Sequence, residues 1–134
     1  MTGYSGTPLA AKLGIGPGMV MRVVHAPEEY PDLLAPLPAG ARLANGGRGR
    51  ADIVHHFATT KAELARSLRA YRKALDPQKP LWVSWPKKSS GVETDITEDV
   101  IRSLAFPLGY VDVKVCAVSG VWSGLKLVVR RDRR

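Results

Sequence analysis

Few residues of this chain could do chemistry, and their spacing separates the candidates. Two ammonium groups, two hydroxyls and a glycine amide stand together in Trp85-Pro86-Lys87-Lys88-Ser89-Ser90-Gly91. Lys87 and Lys88 bring charge, Ser89 and Ser90 bring donors, and Gly91 bares its backbone N–H, a set that suits a phosphate or carboxylate. The segment leaves an apolar run, Leu81 to Trp85, that reads as a central strand. Open α/β sheets bind ligands at the carboxyl ends of their strands, so this loop is the first candidate site. His25, Asp95 and Trp122 join it as candidate ligand contacts, and His25 or Asp95 would be the base of any enzyme built here. Against an anion stand Asp95, Glu98 and Asp99, which already complement the dipole of the helix expected next. A solvated surface loop is the competing reading.

Other constellations fail on position. Gly14-Ile15-Gly16-Pro17-Gly18 looks like part of a dinucleotide-binding fingerprint, which must follow a strand and open a helix; here the glycines precede the strand. After Val24, where a phosphate turn belongs, the chain reads His25-Ala26-Pro27-Glu28-Glu29-Tyr30. His55 and His56 are strand neighbours, so they point to opposite faces and cannot readily share a metal. With His25 and one cysteine besides, no zinc set of usual spacing exists; neither a metal nor a cofactor is expected, a carboxylate-bound Mg²⁺ being less excluded than zinc. Cys116, inside the alternating Lys114 to Val118 run, reads as a small core residue. Ser84-Trp85-Pro86-Lys87 matches Ser-x-x-Lys only as a lone tetrapeptide, and no nucleophile elbow occurs. Trp82, Trp85 and Trp122 read as packing residues, since no basic strand face interleaves them.

The elements that must position these residues follow from pattern. Met19 to His25 is apolar on both faces apart from Arg22, as strands are when helices cover both sides of a parallel sheet. Glu28 to Leu34 suggests a short helix, Ala41 to Ala44 a short strand, and Ile53 to Ala58 another strand. Thr60 with Glu63 has the spacing of a capping box, and the helix Lys61 to Leu75 carries Leu64, Leu68, Tyr71 and Leu75 on one stripe. Arg66, Arg69 and Lys73 turn away from that stripe. Asp95 with Glu98 predicts the cap of a helix running to about Ala105. Tyr110 to Val118 and Leu125 to Arg130 form a hairpin, with Ser119-Gly120 and Ser123-Gly124 in its connection. The expected fold is an α/β, Rossmann-like, mostly parallel sheet flanked by helices and ending in an antiparallel hairpin. Residues 1–18 form an irregular arm with a short apolar turn at Leu9 to Leu13, 19–130 one domain, and 131–134 a basic tail.

Composition bounds the rest. A chain of 134 residues with 45% hydrophobic and 24% charged residues is sized and balanced for one globular domain. A single cysteine, no secretory leader and no membrane-length apolar run predict a cytoplasmic protein without membrane insertion. The net charge of +8 favours anionic partners, although Arg130, Arg131, Arg133 and Arg134 concentrate part of it in a tail that solvation alone explains.

Tyr4-Ser5-Gly6-Thr7-Pro8-Leu9, Lys12-Leu13-Gly14-Ile15, Trp82 to Gly91, Lys114 to Val118 and Trp122-Ser123-Gly124-Leu125 together resemble the bacterial family catalogued as domain of unknown function 3052. That resemblance covers nearly the whole chain and implies no activity, since the family has none assigned. More distantly, the order of strands and helices through Leu108-Gly109-Tyr110 resembles the later part of a class I methyltransferase fold. Such a fold implies S-adenosylmethionine held by a glycine-rich turn after the first strand and an acidic residue ending the second, and neither is present. Three functions follow as expectations. The first is a non-enzymatic or regulatory module that binds a small anionic ligand or acidic partner through Lys87 to Gly91. The others are a nucleic-acid-binding protein using the basic helix face and arginine tail, and an enzyme of degenerate methyltransferase type.

Overall fold

The computed structural model describes residues 7–46 and 49–134; Tyr4, Ser5 and Gly6 of the arm motif lie outside them. Six strands, β1 (Val20–Val24), β2 (Arg42–Asn45), β3 (Ile53–Phe57), β4 (Leu81–Pro86), β5 (Tyr110–Ala117) and β6 (Trp122–Val129), make one sheet in the order β2-β1-β3-β4-β6-β5. β2, β1, β3 and β4 run parallel, and β6 lies antiparallel between β4 and β5. This is the expected Rossmann-like sheet with its terminal hairpin. Every residue of β3 and β4 is buried, including the polar His55, His56 and Ser84. No helix among the described residues is long and apolar enough to cross a membrane.

Helices cover both faces. α3 (Lys61–Ala74) and α4 (Glu98–Ala105) set Leu64, Leu68 and Ile101 against Val54, Val83 and Leu125. On the other face α1 (Leu9–Leu13) and α2 (Tyr30–Leu34) set Leu13, Tyr30 and Leu34 against Met21, Ile53, Phe57 and Trp82. The described part of the arm, from residue 7 onward, therefore packs on the sheet, and the Trp82 indole donates to the Leu13 carbonyl at 3.0 Å.

Two capping expectations resolve differently. Thr60 caps α3 by accepting from the Glu63 amide at 3.4 Å, as its spacing predicts. The Glu63 carboxylate instead reaches inward, to His56 and Ser67. Asp95 does not cap α4: Thr97 does, accepting from the Val100 amide at 3.2 Å. Asp95 accepts from the Lys61 amide at 2.6 Å, while the neighbouring Thr94 hydroxyl donates to the Thr59 carbonyl, so this loop clamps the start of α3.

Two further readings are corrected, and one irregularity appears. Ser123 and Gly124 lie inside β6, not in the hairpin connection, because the strand must pass over Trp82 where a side chain has no room. The arginine tail is docked, not merely solvated. Its backbone continues β6 through Arg130 N–H to the Gly109 carbonyl at 2.8 Å, and Arg72 donates to the Leu108 and Arg133 carbonyls at 2.9 and 2.7 Å. β5, the outermost strand, is interrupted by a bulge at Val113, between Asp112 and Lys114.

A Cβ on Gly124 would lie 3.2 Å from Val118 Cγ2 and 3.3 Å from Trp82 Cε3, both on buried side chains. Gly124→Ala is expected to cost about 1–3 kcal/mol by overpacking, measured by urea denaturation. Gly120→Ala, with nothing within 4 Å of the added carbon, stays within about 0.5 kcal/mol.

Candidate functional site

Parallel strands that end together build a carboxyl edge, and loops leaving it converge. The β1 exit, His25 to Glu28, and the β2 exit, Asn45 and Gly46, enclose a cleft of about 610 Å³. Val23, Val24, Pro27 and Leu43 give it apolar walls, and His25, Glu28 and Asn45 its polar groups. That size and mixture are those of a small-molecule pocket, at the place in an open α/β sheet where ligands bind.

His25 is the only non-glycine residue with positive φ, 58°, among the described residues. A left-handed L-residue costs about 1–2 kcal/mol, and such strain concentrates at functional sites. The turn needs this conformation to leave β1, yet the sequence supplies an imidazole where glycine would be strain-free. That imidazole is 65% exposed, with Nε2 3.9 Å from Glu63 Oε2 and its ring edge-on to His56 at 5.6 Å.

The two strand histidines do face opposite layers. His55 Nδ1 meets the Tyr30 hydroxyl at 2.5 Å and Nε2 the Ser84 hydroxyl at 2.6 Å. His56 Nε2 meets Glu63 Oε1 at 2.9 Å and Nδ1 the Tyr71 hydroxyl at 2.6 Å. The carboxylate can only accept, so His56 carries its proton on Nε2 and accepts from Tyr71. Burial pushes His55 down to about 3, with His56 beside it adding to the shift. Burial also lowers His56, against the opposing pull of Glu63. Both tyrosine hydroxyls are raised, first by burial. The two imidazoles are thus neutral hydrogen-bond hubs.

The lysine-serine loop is arranged otherwise than its composition suggests. Lys88–Ser90 form a single helical turn, ended by Gly91 at φ 74°. The Ser90 hydroxyl donates to the Lys87 carbonyl and accepts from the Val92 amide, and the Gly91 amide donates to Lys88. The Lys87 amide is held by Val121. Ser90 and Gly91 therefore spend their groups on the turn itself, leaving the Lys87 and Lys88 ammoniums and Ser89. The neighbouring hollow, about 420 Å³, is lined by Thr59, Thr60, Glu93, Thr94 and Asp95, an acidic wall. Trp122 adjoins the loop, paired with Pro86, but its ring packs edge-on to Phe57 on the α1 and α2 face. His25 is gathered with His56 and Glu63 on the α3 face. These residues do not form one cluster. Glu28, Asn45 and Glu63 were not singled out as site residues; only the breaks after the apolar runs hinted at the first two, and Glu63 read as a cap.

The fold is that of class I methyltransferases. Over 91% of this chain it matches 88% of an S-adenosylmethionine-dependent methyltransferase from Aquifex aeolicus, with TM-score 0.61 and 11% identity. It matches 74% of the magnesium protoporphyrin IX methyltransferase of Synechocystis, a structure with bound S-adenosylmethionine, over 91% of this chain, with TM-score 0.54 and 14% identity. A tRNA methyltransferase of Bacillus subtilis matches over 92% of this chain and 66% of its own, with TM-score 0.54 and 13% identity. No family model matches the chain, and no curated protein does. The resemblance to domain of unknown function 3052 rests on its motifs alone.

At such identities the likeness establishes architecture and not chemistry. The two positions expected to hold S-adenosylmethionine do not fit it. The β1 turn presents the His25 side chain, and Pro27 has no amide; β2 ends on the neutral Asn45. No methyl-transfer step follows from these residues.

The buried imidazoles set a pH dependence. His55 is neutral when folded, while in the unfolded chain it takes a proton below about pH 6.5, so its contribution is complete above that pH and lost as pH falls toward 3. His55 should lower stability by about 2 kcal/mol between pH 7 and pH 5, read by urea denaturation at both. His55→Gln should flatten that slope, and an unchanged slope would refute the neutral hub. His25→Gly tests the turn: release of left-handed strain should leave stability unchanged or raise it by about 1 kcal/mol. A loss above that would make His25 a structural tether of Glu63.

Proposed function

We propose that this chain is a degenerate methyltransferase-fold protein that binds a small nucleoside-type ligand and transfers no methyl group. The cleft at the ends of β1 and β2 carries the reading, because it persists while the groups expected to hold S-adenosylmethionine are exchanged for His25, Glu28 and Asn45. The architecture shared with proteins such as the S-adenosylmethionine-bound Synechocystis enzyme supports the adenosyl class of ligand. Apolar walls suit a flat ring, and the Asn45 amide offers both a donor and an acceptor to a base edge or sugar hydroxyl. Glu28 in the lining disfavours a ligand carboxylate. His25 then acts as a hydrogen-bonding wall of the cleft.

Thermal unfolding against adenosine, S-adenosylmethionine, inorganic phosphate and coenzyme A tests this. Adenosine at a hundred times its dissociation constant adds about 2.7 kcal/mol, a shift of several degrees. Asn45→Leu should abolish that shift, whereas Lys87→Ala with Lys88→Ala should not. A shift with phosphate alone, lost in the double lysine variant, would move the site to the Lys87 to Gly91 loop. Formation of S-adenosylhomocysteine from S-adenosylmethionine would overturn the non-enzymatic reading.

A further inference from the structure

Unpaired positive charge collects at the amino edge of the sheet, opposite the cleft. α3 starts at the carboxyl edge with Lys61 and ends at the amino edge with Ala74, and β6 runs back to finish there at Val129. Arg66, Arg69 and Lys73 stand exposed on one face of α3, and no carboxylate among the described residues pairs with them. A solvated helix needs a polar outer face, but not one of a single sign.

The tail joins that face. Arg72, on the flank of the stripe beside Arg69, donates to the Arg133 carbonyl and so draws the turn Arg131–Arg133 against the helix. In the tail Asp132 pairs with Arg130, which leaves Arg131 and Arg133 to solvent. The Arg133 guanidinium lies over Gly109, where an added Cβ would meet its Cζ at 3.2 Å. Phe106 sits in the turn Phe106–Leu108, whose last carbonyl Arg72 holds, and its side chain is 43% exposed. The acidic groups near this edge are engaged: Asp132 pairs with Arg130, Asp112 converges with Glu98 and Asp99 on Arg102, and Asp76 accepts from the Gln78 amide.

The geometry points to this surface as a binding site for single-stranded nucleic acid, with phosphates on Arg69, Lys73, Arg131 and Arg133 and a base stacked on Phe106. Guanidiniums that have no internal partner release counterions when they meet phosphates, and an exposed ring gives any unpaired base a stacking platform. A duplex would offer the charge but not the base face. The surface is separate from the cleft, so it stands or falls independently of the proposed ligand.

Fluorescence anisotropy with roughly twelve-nucleotide RNA and DNA single strands, and their duplexes, tests it on the full chain. Four phosphate contacts predict roughly a fiftyfold loss of single-strand affinity between about 50 and 200 mM salt. Arg69→Ala with Lys73→Ala should reduce the log–log salt slope by about 1.4. Phe106→Ala should weaken single strands about tenfold at unchanged slope. All three residues are exposed, so melting temperatures serve as the check on folding. A flat salt response, duplex binding as tight as single-strand binding with no effect of Phe106→Ala, or equal binding of a poly-glutamate peptide would each overturn the assignment. RNA and DNA binding equally would support it; preference for one names the ligand.

Discussion

A strand enclosed on both faces that carries two adjacent imidazoles constrains everything around it. β3 lies between β1 and β4 with no residue reaching solvent, and the two-residue period of a strand sends His55 into one helical layer and His56 into the other. An unsatisfied polar atom there would cost about 1–3 kcal/mol, so each layer must bring partners to a fixed place. α2 brings Tyr30, α3 brings Glu63 and Tyr71, and β4 brings Ser84. Among the described residues no buried side-chain polar atom lacks a partner. The hydrogen bonds of β3 thus orient the helices that hydrophobic burial alone would only press together.

One of these layers communicates with the surface. His56 is fully buried, but Glu63 is not, and its second oxygen faces His25 at the rim of the cleft. The β1 turn is therefore connected to the core through a carboxylate shared by two histidines. In place of the flexible phosphate-binding glycines of related architectures, the chain has a side chain in a costly backbone conformation. The cleft at the ends of β1 and β2 is thus lined by His25 where a glycine turn was expected.

What could be read in advance depended on whether the cause was local. β1, β3 and β4 were legible because burial on both faces leaves a run that is mostly apolar, broken only by Arg22, the two histidines and Ser84, and α3 because Thr60 and Glu63 mark its start. Asp95 misled because its partner, the Lys61 amide, lies 34 residues away. Gly124 misled because a serine-glycine pair has the composition of a turn, while its cause is the Trp82 ring on the neighbouring strand. The cleft itself was hidden for the same reason: Asn45 meets His25 and Glu28 only once β2 has paired beside β1. Charge, by contrast, is visible without a fold, which drew attention to Lys87 to Gly91 ahead of the quieter residues.

The bulge in β5 bears on how this protein keeps company with itself. An eight-residue outer strand with Val113 and Val115 about half exposed would otherwise offer a straight row of free amides and carbonyls to any neighbouring chain. The extra residue at Val113 breaks that row midway and bends the strand, and Lys114 follows it with a charge. A second molecule approaching along this margin would find its register lost after a few residues. Such an interruption disfavours edge-to-edge pairing along β5 and lets the two valines sit at the surface at lower risk.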